Sequence, residues 1–145
     1  MSKMFASREE IEHLLSSSDL YIYDSMVYNA GIVFKTISTY QQGMYDCEYD
    51  LEILGNFVKS NIDAANHLKT LSVPPINEIK QIKKEIIMAN KQMDNIRGQL
   101  KRFKEIIKDK QEELSSIEGQ INRFLSSRLE SKVIDYETFR SKRNK

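Results

Sequence analysis

Apolar residues recur at alternating spacings of three and four residues in two stretches of this chain, Tyr23–Leu68 and Ile79–Phe124. This spacing is the heptad pattern of helices that pack along their whole length against other helices, with apolar residues at positions a and d. Only Asn61 and Lys110 are clearly polar among these 28 positions. The pattern therefore predicts an all-α protein in which two long helices, at about residues 20–71 and 76–129, form an antiparallel coiled-coil hairpin or stalk.

We call the 28 a and d positions the seam. In the first helix they are Tyr23, Met26, Ala30, Val33, Ile37, Tyr40, Met44, Cys47, Leu51, Leu54, Val58, Asn61, Ala65 and Leu68. In the second helix they are Ile79, Ile82, Ile86, Ala89, Met93, Ile96, Leu100, Phe103, Ile107, Lys110, Leu114, Ile117, Ile121 and Phe124. A tight turn between Val73 and Pro74 would place opposite one another the seam residues whose numbers add up to 147.

We expect one domain over residues 1–145, with short helices at both ends. Ser7 and Glu10 form a capping-box pattern, and Ser18 or Asp19 is expected to cap the first long helix. Pro74 and Pro75 separate the two long helices because the residue before a proline avoids helical geometry. The predicted segments are a short helix at 7–15, a long helix at 20–71, a turn at 72–75, a long helix at 76–129, and a short helix with a basic tail at 130–145.

Several apolar residues fall beside the seam, where a two-helix hairpin does not bury them. The first helix carries Ile22, Val27, Phe34, Phe57, Ile62 and Leu71 there, and the second carries Ile87, Ile106 and Leu125. Apolar faces wider than a and d are typical of bundles of three or more helices. We therefore predict further helices, supplied by partner chains or by a second copy.

The two halves of the chain differ in charge although its net charge is only +1. Residues 1–72 hold 5 Lys and Arg against 10 Asp and Glu, and residues 73–145 hold 17 against 11. This asymmetry favours docking of one half on the other, or of each half on an oppositely charged partner. The basic run of the second helix alternates with acids, which favours a coiled-coil flank over a nucleic-acid site.

The sequence shows no motif that carries chemistry. His13 and His67 have no neighbours at metal-ligand spacing, and the phosphate-loop, dinucleotide and metalloprotease patterns are missing. We expect no enzyme activity, no cofactor or metal, no small-molecule substrate and at most peripheral contact with a membrane. The lone Cys47 lies in the seam and is interpreted as a small buried hydrophobic residue of a soluble, cytoplasmic protein.

The two ends of the chain and one internal stretch resemble subunits of the first endosomal sorting complex, ESCRT-I. The segment from Ser7 to Tyr21, an acidic helix ending in Leu-Leu followed by a polar break with Asp, is similar to the start of the Mod(r) domain. The family's Asn, Ala, Asn-Leu and Pro-x-Leu positions are matched by Asn61, Ala65, Asn66, Leu68 and Pro75-Ile76. The segment Leu129–Phe139 resembles the steadiness box of the tumour-susceptibility subunit.

The resemblance implies a stalk-and-headpiece subunit that sorts proteins at endosomes and recruits membrane-remodelling machinery. The residues that it would place against partner chains in the headpiece are Leu129, Val133, Ile134 and Phe139. Two alternatives share the long helices. One is a rod subunit of the spindle or kinetochore type, and the other is a self-contained helical hairpin that acts as a chaperone or secretion partner.

Overall fold

The chain is all-α over the residues that the structure, a computed structural model, describes. These are residues 8–143 for the backbone and 8–129 for the side chains. Within them lie three helices and no strand: α1 (Arg8–Leu14), α2 (Ser17–Lys69) and α3 (Ile76–Arg143). The two long helices α2 and α3 pack against each other, which confirms the predicted fold class and is consistent with a hairpin.

The seam is covered along its full length. None of its 28 residues is exposed, and Val33, Ile37, Cys47, Ala65, Ile79, Ala89 and Ile107 are buried. A helix of more than 50 residues gains little from backbone propensity alone, so the packing of this continuous apolar row stabilises both helices. Contacts within the chain form two compact units. Unit 1 consists of two segments of the chain, one that ends at Thr36 and one that begins at Lys110. Unit 2 is the segment between them, Ile37–Asp109.

The first long helix begins three residues earlier than predicted, at Ser17. The Oγ of Ser16 accepts a hydrogen bond from the Asp19 N–H at 3.2 Å, and the Leu20 N–H donates to the Ser16 carbonyl at 2.8 Å. Ser16 is therefore the N-cap, and the prediction of Ser18 or Asp19 is wrong. All of these polar residues can cap a helix, so the sequence alone does not choose among them.

The turn between the long helices is short, and backbone hydrogen bonds are made at the end of α2 and at the start of α3. The N–H of Thr70 and that of Leu71 donate to carbonyls three residues back, at 3.0 and 3.3 Å, which tightens the last turn of α2. Pro75 supplies the carbonyl that accepts from the Ile79 N–H at 3.0 Å as α3 begins. The Pro-Pro pair therefore separates the two helices as predicted, although α2 ends at Lys69 and not at residue 71.

The second long helix does not end near Leu129. It continues to Arg143, so the predicted separate helix at 130–145 is wrong. The interruption was expected at Ser131 and Lys132, which are only mildly unfavourable in a helix. Neither Gly nor Pro occurs between Gly119 and the end of the chain, so nothing in this segment stops the backbone hydrogen-bond ladder.

Unit 1 is a three-helix arrangement because α1 covers one side of it. Ile11 of α1 is fully buried and forms a cluster with Leu15, Leu125 and Leu129, all of them buried. The partly buried residues packed against this cluster are Leu14, Leu20, Tyr23, Ile121 and Phe124. The chain itself thus supplies a third helix in unit 1, whereas the prediction named only partner chains or a second copy as the source of further helices.

Charged side chains fix α1 and α3 to the beginning of α2 within unit 1. Arg8 donates to the Asp24 carboxylate at 3.0 Å, and Arg128 donates to Asp19 at 3.3 Å. The Arg128 guanidinium also lies 5.0 Å from the centre of the Phe124 ring. Partly exposed pairs of this kind contribute roughly 0–1 kcal/mol each, so they orient the helices more than they hold them together.

In unit 2 the two helices run antiparallel. The rings of Tyr40 and Phe103 meet edge to face with their centres 5.4 Å apart, and Phe103 also lies against Gly43. Further along, Gly55 lies beside Met93. The residue numbers of these pairs add up to 143, 146 and 148, close to the value of 147 for the predicted register.

We predict that Gly43→Ala destabilises the protein. A Cβ atom at Gly43 would lie 2.8 Å from Cε2 of Phe103, whose ring is held by Tyr40. The better helix propensity of Ala, worth about 1 kcal/mol, is therefore outweighed by an overpacking cost of about 1–3 kcal/mol. The measurement is urea unfolding followed by circular dichroism.

Two other glycines provide the control for this prediction. Nothing lies within 4 Å of a Cβ added at Gly31, and only the flexible Arg102 guanidinium, at 3.8 Å, lies near one added at Gly98. We expect Gly31→Ala and Gly98→Ala to stabilise the chain by about 1 kcal/mol each. Stabilisation of similar size at Gly43 would show that the Phe103 ring moves away at no cost.

A charge in the seam should destabilise unit 2. Leu100 is half-buried at a seam position, and Leu100→Asp would leave a carboxylate there without a partner. We expect a loss of about 3 kcal/mol in the free energy of unfolding. The neighbouring Gln99 is exposed, so Gln99→Asp should change stability by less than about 0.5 kcal/mol. Equal melting temperatures for the two variants would contradict the assigned seam.

Candidate docking surface

The exposed apolar residues are concentrated on α2. Of sixteen exposed large hydrophobic residues in the described part of the chain, eleven lie on this helix, so α2 is the helix that lacks cover. They are Tyr21, Ile22, Val27, Tyr28, Ile32, Phe34, Tyr45, Tyr49, Ile53, Phe57 and Ile62. Exposed apolar surface of this kind is typical of contact sites for other proteins.

The residues predicted to face partners have different environments. Ile22, Val27, Phe34, Phe57 and Ile62 are all exposed, with 42–61 % of their surface accessible. Leu129 is only 5 % exposed, because α1 covers it in unit 1. The side chains of Val133, Ile134 and Phe139 lie outside the described residues. The binding of partners to these residues stays a prediction.

Unit 2 carries an open groove between its two helices. The groove has a volume of about 480 Å³ and is lined by Asp50, Ile53, Leu54, Gln92, Asn95 and Ile96. These residues occupy heptad positions g, c and d of both helices, so the groove lies along one side of the helix pair. We call positions g and c of unit 2 the groove side, and positions e and b the basic side. Phe57 and Met88 also occupy groove-side positions and are exposed.

The two sides of unit 2 carry opposite charge. Groove-side positions hold one base, Arg102, against the acids Asp46, Asp50, Glu78, Glu85 and Asp109. Basic-side positions hold three acids, Glu48, Glu52 and Asp94, against Lys59, Lys69, Lys80, Lys83, Arg97, Lys101, Lys104 and Lys108. The net charges of the two sides are therefore −4 and +5. Only the outermost f positions are balanced, with Lys84 and Lys91 against Asp63 and Glu105.

The two polar seam residues bond to their own helices. The side-chain amide of Asn61 donates to the Phe57 carbonyl at 2.8 Å, one turn earlier in α2. The Lys110 ammonium lies 3.0 Å from the Glu113 carboxylate, three residues later in α3. Both side chains are satisfied locally, so neither needs a polar partner across the seam.

Cys47 is buried in the seam of unit 2 with 6 % of its surface exposed. Burial raises the pKa of its thiol above the usual value, and the nearby carboxylates of Asp50, Asp46 and Glu48 raise it further. In unit 1 the removal of the Tyr23 hydroxyl from water similarly raises its pKa, although the Arg8 guanidinium lowers it in part. Both groups therefore stay neutral at physiological pH, and the Cys47 thiol is a packing group.

Nothing among the described side chains offers a metal site, since no group of three or more His, Cys, Asp or Glu residues converges there. None of the helices has a stretch apolar and long enough to cross a membrane, within the same part of the chain. Comparisons of the chain with protein-family models, with curated proteins and with solved structures found no match. The geometry of the helices is therefore the basis for a functional proposal.

Sequence reasoning identified the seam positions but missed two features of the surface. It did not place α1 over Leu125 and Leu129, although the stripe Ile11, Leu14 and Leu15 on α1 was a signal for such a contact. It also compared net charge only between residues 1–72 and residues 73–145. Sorting the charged residues of unit 2 by heptad position would have shown that they differ between its sides.

We predict that the Cys47 thiol of the native chain reacts slowly with iodoacetamide. The thiolate is the reactive form, and a raised pKa keeps it scarce until the pH exceeds the ordinary range for a thiol. The rate should increase about tenfold or more in denaturing urea, which exposes the side chain. Mass spectrometry measures the modified fraction. A native rate equal to the rate in urea would show that Cys47 is accessible.

Proposed function

We propose that the protein is a non-enzymatic scaffold subunit that holds other helical chains against α2. The observation that carries this proposal is the contrast between the covered seam and the eleven exposed apolar residues on the same helix. The seam needs no further cover, so partner helices account for the apolar residues beside it. A tuned active site needs a concave, water-excluding pocket, and the groove of unit 2 is an open depression on a helix pair.

Unit 1 illustrates the kind of contact that we propose. Its helix α1 lies on one side of the helix pair and buries Leu125 and Leu129, which occupy positions e and b beside the seam. The exposed residues Val27, Phe34 and Ile62 occupy the equivalent e positions of α2. Burial of these side chains by partner helices would contribute about 25 cal/mol of favourable free energy per Å² of apolar surface removed from water.

We further propose that the complex is an ESCRT-I-like assembly acting in protein transport at endosomes. Support for this finer assignment comes from the resemblance of the N-terminal segment, the stretch around Asn61 and the segment Leu129–Phe139 to that family. The expected partners are the other helical subunits of the complex, in a hetero-oligomer or together with further copies of this chain. Co-expression with ESCRT-I subunits, followed by purification of the intact chain, tests the assignment directly.

We predict that Phe34→Ser weakens binding to such a partner by roughly 2 kcal/mol, about 30-fold in affinity, because aromatic anchors dominate interfaces of this kind. Phe34 is 61 % exposed in the chain alone, so the melting temperature of the isolated protein should hardly change. Gln41 occupies the same heptad position one heptad later and is exposed, which makes Gln41→Ser the matched control. Binding is measured by titration calorimetry with the co-purifying subunit.

Two results would overturn the proposal. One is that Phe34→Ser and Gln41→Ser lower the affinity equally, because the apolar residue would then contribute nothing to docking. The other is that the chain co-purifies with no helical subunit and Phe34→Ser leaves every property unchanged. A chain that binds helical partners but never ESCRT-I subunits would retain the scaffold role and reject the finer assignment.

A further inference from the structure

The opposite charges on the two sides of unit 2 are not required by the helix pair itself. Attraction between α2 and α3 within the pair needs acids on one helix and bases on the other, on either side of the seam. The acids and bases of unit 2 are instead sorted between sides, with net charges of −4 and +5. Such sorting leaves each side with charge that its own helices do not neutralise.

Both sides also expose apolar residues. The groove side exposes Ile53, Phe57 and Met88, and the basic side exposes Tyr45, Ile62 and Ile87. The groove itself is floored by the half-buried seam residues Leu54 and Ile96, and its rim carries Asp50 and the amides of Gln92 and Asn95. A ridge of apolar and basic side chains therefore fits this groove in both polarity and charge.

We propose that the groove side of unit 2 docks the basic side of unit 2 in a second copy of this chain. The chain thus carries both halves of the contact, acidic and apolar on one side and basic and apolar on the other. The small net charge of +1 leaves little overall repulsion between copies. This inference rests on the proposed function, because it names the chain that fills one of the docking surfaces.

The contact joins unlike sides, so it is heterologous and leaves a free groove side and a free basic side after each addition. Copies therefore assemble in a series unless the series closes into a ring. The attraction is between exposed charges, so it weakens as salt shortens the range of electrostatic interaction to about 3 Å at 1 M. A two-fold dimer through the groove side alone would instead bring acids against acids.

The test is a charge swap measured by sedimentation velocity on the full chain over a range of concentrations. Asp46→Lys with Asp50→Lys changes the net charge of the groove side from −4 to 0, and Lys101→Glu with Lys104→Glu changes that of the basic side from +5 to +1; all four residues are exposed. Each double variant alone removes most of the charge attraction at the contact, and we expect its association constant to fall at least about tenfold. In a mixture, the unchanged groove side of one variant meets the unchanged basic side of the other, so the two variants should form a heterodimer although neither associates alone.

The outermost f positions provide matched controls. Lys84→Glu with Lys91→Glu makes the same change in net charge as the basic-side variant, and Asp63→Lys with Glu105→Lys makes the same change as the groove-side variant. The f positions belong to neither the groove side nor the basic side, so each control variant should associate like the original chain. Circular dichroism checks that every variant is helical, and recovery on mixing excludes misfolding as the cause of a loss.

Three results would overturn this inference. They are a chain that stays monomeric at every concentration and at low salt, a loss in the f-position controls equal to that in the side variants, and a mixture that does not recover. Because the test uses only this chain, its failure leaves the binding of other subunits at Phe34 untouched. Conversely, association of copies would persist if no other helical subunit bound.

Discussion

The continuous apolar seam between α2 and α3 is the contact on which the rest of the structure depends. A single helix of this length would expose its whole apolar row to water, and its backbone hydrogen bonds alone would not hold it. Because all 28 seam residues are covered, the two helices fix each other. Every other side chain then has a defined position around the helix pair. The heptad position of a residue therefore determines on which side of the pair it lies.

Much of the fold was predictable because it depends on spacing. The three-and-four repeat identified both long helices, and the avoidance of helical geometry before Pro74 and Pro75 identified the turn. The details that failed depend on small energy differences or distant contacts. Ser16 competes with its polar neighbours to cap α2, Ser131 and Lys132 weaken a helix without ending it, and the contact of Ile11 with Leu129 joins residues far apart in sequence.

The candidate docking surface was likewise predictable only in part. The exposure of Phe34, Phe57 and Ile62 follows from their positions beside a two-helix seam, and periodicity alone predicts those positions. Leu129 occupies a comparable position, but α1 buries it. An apolar residue beside a seam is therefore free for a partner only where the chain brings no third helix of its own. In unit 1 α1 fills part of that need, whereas unit 2 consists of the two long helices and the turn between them.

The charges of unit 2 are more selective than its internal packing requires. The nine bases of α3 that belong to unit 2 could attract the acids of α2 from either side of the seam, yet six of them occupy e or b positions and only Arg102 lies on the groove side. Beside Asp50, the groove side of α3 presents the neutral residues Gln92 and Asn95. The attraction between α2 and α3 is therefore weaker on the groove side than it would be with bases there. Basic charge supplied from outside the pair, next to exposed Ile53 and Phe57, compensates for it, and the basic side of the same unit has that composition.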